Sequence, residues 1–281
     1  ASKLTEWLAR LNNDNAQGEY YLTDCVEMAT GDGIAVKPVV IENVEDVLGV
    51  NSKSELATAE RVYQLRQANE LMSNGVTLRD PARLDVRGEC IAGQDCEIDI
   101  NVVLHGVVKL GDRVSIGPNC VIKNSVIEND VVIQANCYLE NTHVGQGSAV
   151  GPYGRLRPGT ELAENVRIGN FVEVKNSTIA AGSKANHLAY VGDSTVGKNV
   201  NIGAGVITCN YDGVNKHKTN IGDGAFIGTN SALVAPLTIG KGAYIAAGST
   251  INLDAPEGEM SIARARQTTV KGWQRAKKSD K

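Results

Sequence analysis

The chain has 281 residues and a formal net charge of -4, with only 4% aromatic residues and just two Phe and two Trp. An acidic balance without a basic face argues against nucleic acid as a partner, and no apolar run reaches membrane-spanning length, which excludes membrane insertion by a helix. So few aromatics leave Val, Ile, Leu and Ala to fill the core, which suits narrow, regular β packing.

In chain order, KLTEWLARL places Leu4, Trp7, Leu8 and Leu11 on one face of an amphipathic helix. VKPVVIENVEDVLGV reads as a strand, a turn and a short acidic stretch. SELATAERVYQLRQANELMSNG predicts a long helix, capped by Ser54 and stopped by Gly75. GVTLRDPARLDVRGE then opens a repetitive region. Neither GxGxxG nor a Walker motif occurs before it. The chain begins on ASKLTEW, without Met and without a secretory signal, as a piece of a longer protein would.

From there the sequence repeats every six residues. Leu104, Leu110, Ile116 and Ile122 form one register, and Val144, Val150, Leu156, Leu162, Ile168 and Val174 a second. Ile221, Ile227, Leu233, Ile239, Ile245 and Ile251 form a third. A six-residue period matches neither a helix nor an alternating strand. It predicts a mainly β chain: a parallel β-helix of hexapeptide repeats, with three hexapeptides per triangular coil. The left-handed form follows from the hexapeptide class. Glycine after many of the aliphatics is expected to supply positive φ at corners. The one-residue drift between Ile122 and Val144 is expected to reflect tight bulges. CNYDGVNKHKTN, between Thr208 and Ile221, is expected to protrude as an outside loop.

The expected organisation is a small α/β remnant over 1–52, a connecting helix over 53–75, the β-helix over 76–258 and a basic tail over 259–281. The six cysteines, Cys25, Cys90, Cys96, Cys120, Cys137 and Cys209, show no CxxC pair and no zinc spacing. They read as reduced thiols of a cytoplasmic protein.

Candidate chemistry centres on one histidine. His105 and His143 have no acidic or cysteine company at ligand spacing and read as surface groups. His187 lies on the coil that follows Arg157 and Lys175. These two basic residues are eighteen positions apart and should stack on one face, where a guanidinium fork and an ammonium could meet a phosphate. Glu173 could orient the histidine. His187 could then take a proton from an amine attacking a thioester. Cys209 has no evident base and is a poor nucleophile candidate. Small residues at Ala204, Gly205 and Ala247 would let an extended ligand lie against adjacent coils. The tail residues Arg264, Arg266, Lys271, Arg275, Lys277 and Lys278 are either a solubilising segment or a clamp for phosphates such as those of coenzyme A.

Several stretches carry a closer likeness: LRDPARLDVRGE, GPYGRLRPGTEL, NFVEVKNS, HLAYVGD, NVNIGAGVITCNYDG and the IAAGSTI to SIARARQ ending. The chain resembles the bacterial bifunctional N-acetylglucosamine-1-phosphate uridyltransferase / glucosamine-1-phosphate N-acetyltransferase family over essentially its whole length. NNDNAQGEYYLTD and GVNSKSELATAERVYQ resemble the end of the family's uridyltransferase domain.

The resemblance implies acetyl transfer from acetyl-CoA to glucosamine 1-phosphate by the β-helix. In the longer parent it implies magnesium-dependent synthesis of UDP-N-acetylglucosamine from UTP, an activity expected to be absent from this chain. It further implies a homotrimer with sites shared between subunits. By motif, His187 matches the catalytic base. Arg157, Lys175, Tyr190, Asn201 and Lys216 match the amino-sugar phosphate site. Asn210 and Tyr211 match a loop near both substrates. Ala204, Thr229, Ala247 and Arg264 match acetyl-CoA contacts, with Thr229 keeping the hydroxyl where Ser is usual. Asn186 stands where Gly is common. Asn51 matches a sugar-nucleotide and magnesium position. The competing readings are another hexapeptide acyltransferase and a non-catalytic trimerisation scaffold.

Overall fold

The computed structural model describes residues 2–276, so the tail lysines Lys277 and Lys278 lie outside the described residues. The chain divides into two compact units, residues 1–59 and 60–281.

The first unit is small and helical. Helix α1 (Ser2–Leu8) and helix α2 (Asp24–Gly31) bury Trp7, Cys25 and Ala29 together, with Leu11 and Met28 packed alongside. Trp7 Nε1 donates to Asp32 Oδ2 at 2.9 Å, so the indole satisfies its only polar group. Leu4 and Leu8, expected on the same buried face, are each 45% exposed. The strand expected in VKPVVIENVEDVLGV does not form. Among the described residues no strand pairs with it, Val39 and Val40 stand exposed, and only a 3-10 turn follows at Val44–Val47. An apolar run without a sheet edge to join has no partner for its backbone groups. Helix α3 (Lys53–Ser73) starts in this unit, and its cap is Ser52 rather than Ser54: Ser52 Oγ accepts from the Glu55 N–H at 3.2 Å.

The second unit is the parallel β-helix. Strands of two to nine residues pair in parallel with strands one coil away, and one face stacks eleven of them. Its inward column runs Ile116, Ile133, Val150, Ile168, Ala185, Ile202, Ile227 and Ile245, each paired in register with the next. All are buried, and each full burial of an Ile or Val side chain contributes about 1.5–3 kcal/mol. The lower end is closed by the later turns of α3. Buried Gln64 donates through Nε2 to the Val86 carbonyl at 3.0 Å and accepts from the Val86 N–H at 2.7 Å, as a neighbouring strand would. Gly75, at φ 94°, ends the helix as expected.

Two local expectations are corrected. Gly151, after Val150, does take positive φ at 106°, but most glycines after an inward aliphatic do not. Gly117, Gly169, Gly203 and Gly228 lie outside the left-handed region, but a Cβ on any of them would run into backbone of the next coil; at Gly117 it would sit 2.9 Å from the Ala135 nitrogen. These glycines set the distance between coils. The left-handed residue comes two positions later, at Asn119, Phe171, Gly205 and Asn230. Nor is the drift in register a bulge. One corner is simply a residue shorter, and it turns on Asn124, Asn141, Asn176 and Asp193, with φ between 43° and 48°. No strand gains an unpaired residue there: Ile122 pairs with Leu139 and Val174 with Val191. A serine follows three of these turns, and Ser125, Ser177 and Ser194 each donate to the carbonyl two residues back.

Candidate functional site

The site is built from one corner column and the strand face beside it. Strand Arg167–Asn170 pairs with Lys184–His187, which sets Asn170 directly beneath His187. Continuing the register from Ala185 through Ile202, Ile227 and Ile245 sets Ala204, Thr229 and Ala247 successively above it. The corner thus stacks Asn170, His187, Ala204, Thr229 and Ala247 in one line. Ala204 and Ala247 keep it low. Arg264 reaches the same line, donating to the Ala247 carbonyl at 2.5 Å.

His187 is exposed, and its Nδ1 lies 2.6 Å from Asn170 Oδ1. An amide oxygen only accepts, so this pairing places the proton on Nδ1 and leaves the Nε2 lone pair free. Glu173, expected to orient the histidine, is instead turned to arginine: it accepts from Arg157 Nη1 at 2.9 Å and lies 3.8 Å from Arg155 Nη1. The physical reason is register, because Glu173 pairs with Arg155 on the strand face while His187 belongs to the corner. His143 also departs from expectation: its Nε2 lies 2.9 Å from Glu128 Oε1.

On the strand face, Arg157 and Lys175 do stack one coil apart, since Leu156 pairs with Val174. Tyr190 follows on the next coil, opposite Glu173. Lys175 contacts Asp193 at 3.5 Å and meets Lys216 from the inserted loop. A hydrogen bond between the two side chains, with the Lys216 amine accepting, holds Lys175 above the usual lysine value and Lys216 below it, and Asp193 adds to the first effect. The result is a cluster of basic groups in which Arg157 is paired with Glu173 and Lys175 with Asp193. Asn201 is not part of it: it lies on the neighbouring face, in register with Lys184 and Phe226.

The insertion protrudes, as expected. Tyr211 and Lys216 form an antiparallel bridge, and Asp212 accepts from the Val214 and Asn215 backbone at 2.8 and 2.6 Å and from His217 Nε2 at 2.6 Å. Tyr211 is exposed, whereas Asn210 is buried at the loop's root and donates to Asp193. Among the described residues Cys209 Sγ has one hydrogen-bond partner, the Ile207 carbonyl at 3.9 Å, which is not a base.

Asn170, Asn176 and Asp193 are the site residues that sequence reasoning missed. Asn170 lies one coil before His187, but a coil shortened by the tight corner has to be assumed to find it.

No three His, Cys, Asp or Glu side chains among the described residues converge to hold a metal ion. Asn51, assigned to magnesium by resemblance, donates its backbone N–H to Glu55 Oε2 at 2.7 Å. Among the described residues, no cluster of carboxylates accompanies Asn51 that would hold magnesium. No helix among the described residues is long and apolar enough to cross a membrane.

Comparison with known proteins supplies the lineage. Residues 86–170 match the family described as the GMPPB C-terminal domain, and residues 218–252 match the bacterial transferase hexapeptide family of six repeats. The bifunctional protein GlmU of Ralstonia nicotianae is 56% identical over 280 residues, covering 100% of this chain and 62% of that protein. Its counterpart in Methylococcus capsulatus is 56% identical over 279 residues, covering 99% of this chain and 60% of that protein. The Pseudoalteromonas atlantica protein is 54% identical over 277 residues, covering 99% and 61%. The chain thus spans about three fifths of the length of the curated relatives it matches. With a hexapeptide β-helix and more than half its residues shared along nearly all of its length, the chain corresponds to the C-terminal part of the GlmU proteins it matches.

Proposed function

We propose that this chain transfers the acetyl group of acetyl-CoA to the amine of glucosamine 1-phosphate. The observation that carries the reading is the corner line itself. A histidine with a free Nε2 sits at the foot of a line of small corner residues that ends at Arg264, beside a face bearing Arg157, Lys175 and Lys216.

In this reading Arg157, Lys175 and Lys216 take the phosphate, with Tyr190 beside them. Asn201 joins from the adjacent face. Acetyl-CoA lies along Ala204, Thr229 and Ala247 with its phosphates toward Arg264, and Asn210 and Tyr211 close over both substrates. The amine attacks the thioester carbonyl, and His187 Nε2 takes the proton that the amine loses. The thiolate of coenzyme A leaves, and protonated His187 can return the proton to it. A thioester is already activated, so no covalent enzyme intermediate is needed. Asn170 keeps the imidazole in the tautomer that can act as base.

Correspondence to the C-terminal part of the GlmU proteins supports the donor and acceptor classes. The same reading assigns residues 76–258 to the acetyltransferase, 53–75 to the connecting helix, 259–281 to the basic tail and 1–52 to a uridyltransferase remnant. The remnant is inactive by itself, and magnesium serves only the longer parent. The protein works in the cytoplasm as a homotrimer whose subunits share sites.

The test is acetyl-CoA consumption with glucosamine 1-phosphate by the chain and by His187→Ala. Turnover that falls by about 10²–10⁴ in the variant supports the base. No turnover by a folded, unaltered chain makes it a scaffold. Equal turnover by both removes His187 from the role.

A further inference from the structure

We propose that Asp193 is a positioning residue for the acceptor site: its carboxylate ties the root of the inserted loop and the Lys175 ammonium to the same corner of the coil. The proposal rests on the acetyl-transfer reading for the identity of the acceptor, but its geometry stands independently.

Asp193 is buried, with its side chain only 8% exposed. It accepts from Asn176 Nδ2 at 2.6 Å through Oδ1. Its Oδ2 accepts from Asn210 Nδ2 and faces Lys175 Nζ at 3.5 Å. One carboxylate thus holds a neighbouring coil, a phosphate-facing lysine and the first buried residue of the loop. Burial pushes the Asp193 carboxyl up, but the donors Asn176 and Asn210 and the charge of Lys175 outweigh it, leaving the group ionised and below its usual value.

The fold does not ask for this charge. Asp193 occupies the tight left-handed corner, and the equivalent turns use Asn124, Asn141 and Asn176 at nearly the same φ. Asparagine is enriched in that conformation, so it meets the backbone requirement. What asparagine cannot do is accept at both side-chain positions. Its amide would present a donor to Asn210 and Lys175, or to Asn176. The departure from asparagine falls on the coil next to the one from which the inserted loop springs. Without the carboxylate, Lys175 would also face Lys216 with less to balance it.

The experiment compares the unaltered chain with Asp193→Asn by steady-state kinetics and by calorimetric titration with glucosamine 1-phosphate. Thermal unfolding checks that the coil is intact. Replacing charge-assisted hydrogen bonds by neutral ones predicts a KM for glucosamine 1-phosphate, and a Kd, raised about tenfold, with kcat and the KM for acetyl-CoA changed much less. Combination with Lys175→Met tests the route: the double variant should lose less than the product of the single losses, because both act through one contact.

A variant that binds within about twofold of the unaltered chain overturns the positioning role while leaving acetyl transfer standing. An equal fall in affinity for both substrates together with a lowered unfolding midpoint also overturns it, because a general loss of structure would act on both. If the unaltered chain binds the sugar phosphate without turnover, the transfer reading fails and the Kd comparison still decides the role of Asp193. Absence of binding by the unaltered chain overturns both.

Discussion

Replacing Asn170 by aspartate isolates the partner of the proposed base. The substitution keeps an oxygen acceptor beside His187 Nδ1 and adds a negative charge. His187 is exposed, so the charge acts through a water-like dielectric. Unit charges at the observed 2.6 Å then attract by about 1.6 kcal/mol, equivalent to roughly one pH unit. The attraction favours the protonated imidazole, which cannot serve as base. The acid limb of kcat/KM for glucosamine 1-phosphate should move up by about one pH unit, with the rate on that limb falling about tenfold and the plateau nearly unchanged. Asn170→Ala is the control: losing a neutral hydrogen bond costs about 0.5–1.5 kcal/mol, a two- to tenfold fall in kcat that leaves the limb in place. Rate profiles across the acid limb for the three proteins decide the matter. An acid limb at the same pH in Asn170→Asp and the unaltered chain refutes the argument that Asn170 acts on the base.

Two further expectations concern the scaffold. Gly169→Ala places a methyl against the Asn186 backbone, one residue before His187, and such overpacking should destabilise the chain by about 1–3 kcal/mol, read as a lowered denaturation midpoint. Activity lost at temperatures where the variant remains folded would show that coil spacing also sets the site. In the loop, His217 and the Asn215 and Val214 backbone hold the Asp212 carboxyl well below the usual carboxylate range. The folded loop therefore keeps its carboxylate to lower pH than an unfolded chain does. Its stabilisation is complete above about pH 4, declines as pH falls through the ordinary range and is gone below the depressed value. NMR of the Val214 and Asn215 amides should report the loosening under acid, and Asp212→Asn should show it already at neutral pH. Amides unchanged in that variant would count against the clasp.

The six-residue aliphatic period made the β-helix legible because each inward side chain must meet the one a coil below. The corners were harder to read. A glycine suggests positive φ, yet here Gly169 answers to the backbone of the next coil while Phe171 takes the left-handed turn. Sequence spacing correctly paired Arg157 with Lys175, where the coil has its full length. The same spacing leads from His187 to Gly169 and misses Asn170, because the intervening coil turns on the shorter corner at Asn176. The alignment of His187 with Ala204, Thr229 and Ala247 was hidden for a related reason: one step crosses a short coil and the next crosses the inserted loop. In the first unit, apolar content at Val39 and Val40 suggested a strand, but pairing is decided by a neighbour that the local sequence does not name.

The corner line also acts as a ruler. Stacked strands lie about 4.8 Å apart, so the three steps from His187 to Ala247 measure roughly 14 Å along the axis. Arg264 marks the far end by its bond to the Ala247 carbonyl. A donor whose reactive carbonyl rests at the histidine must therefore carry its charged end on an arm of about that length. On the proposed reading, the number of coils between the two residues, rather than the shape of any enclosed pocket, sets which acyl carriers reach both ends at once.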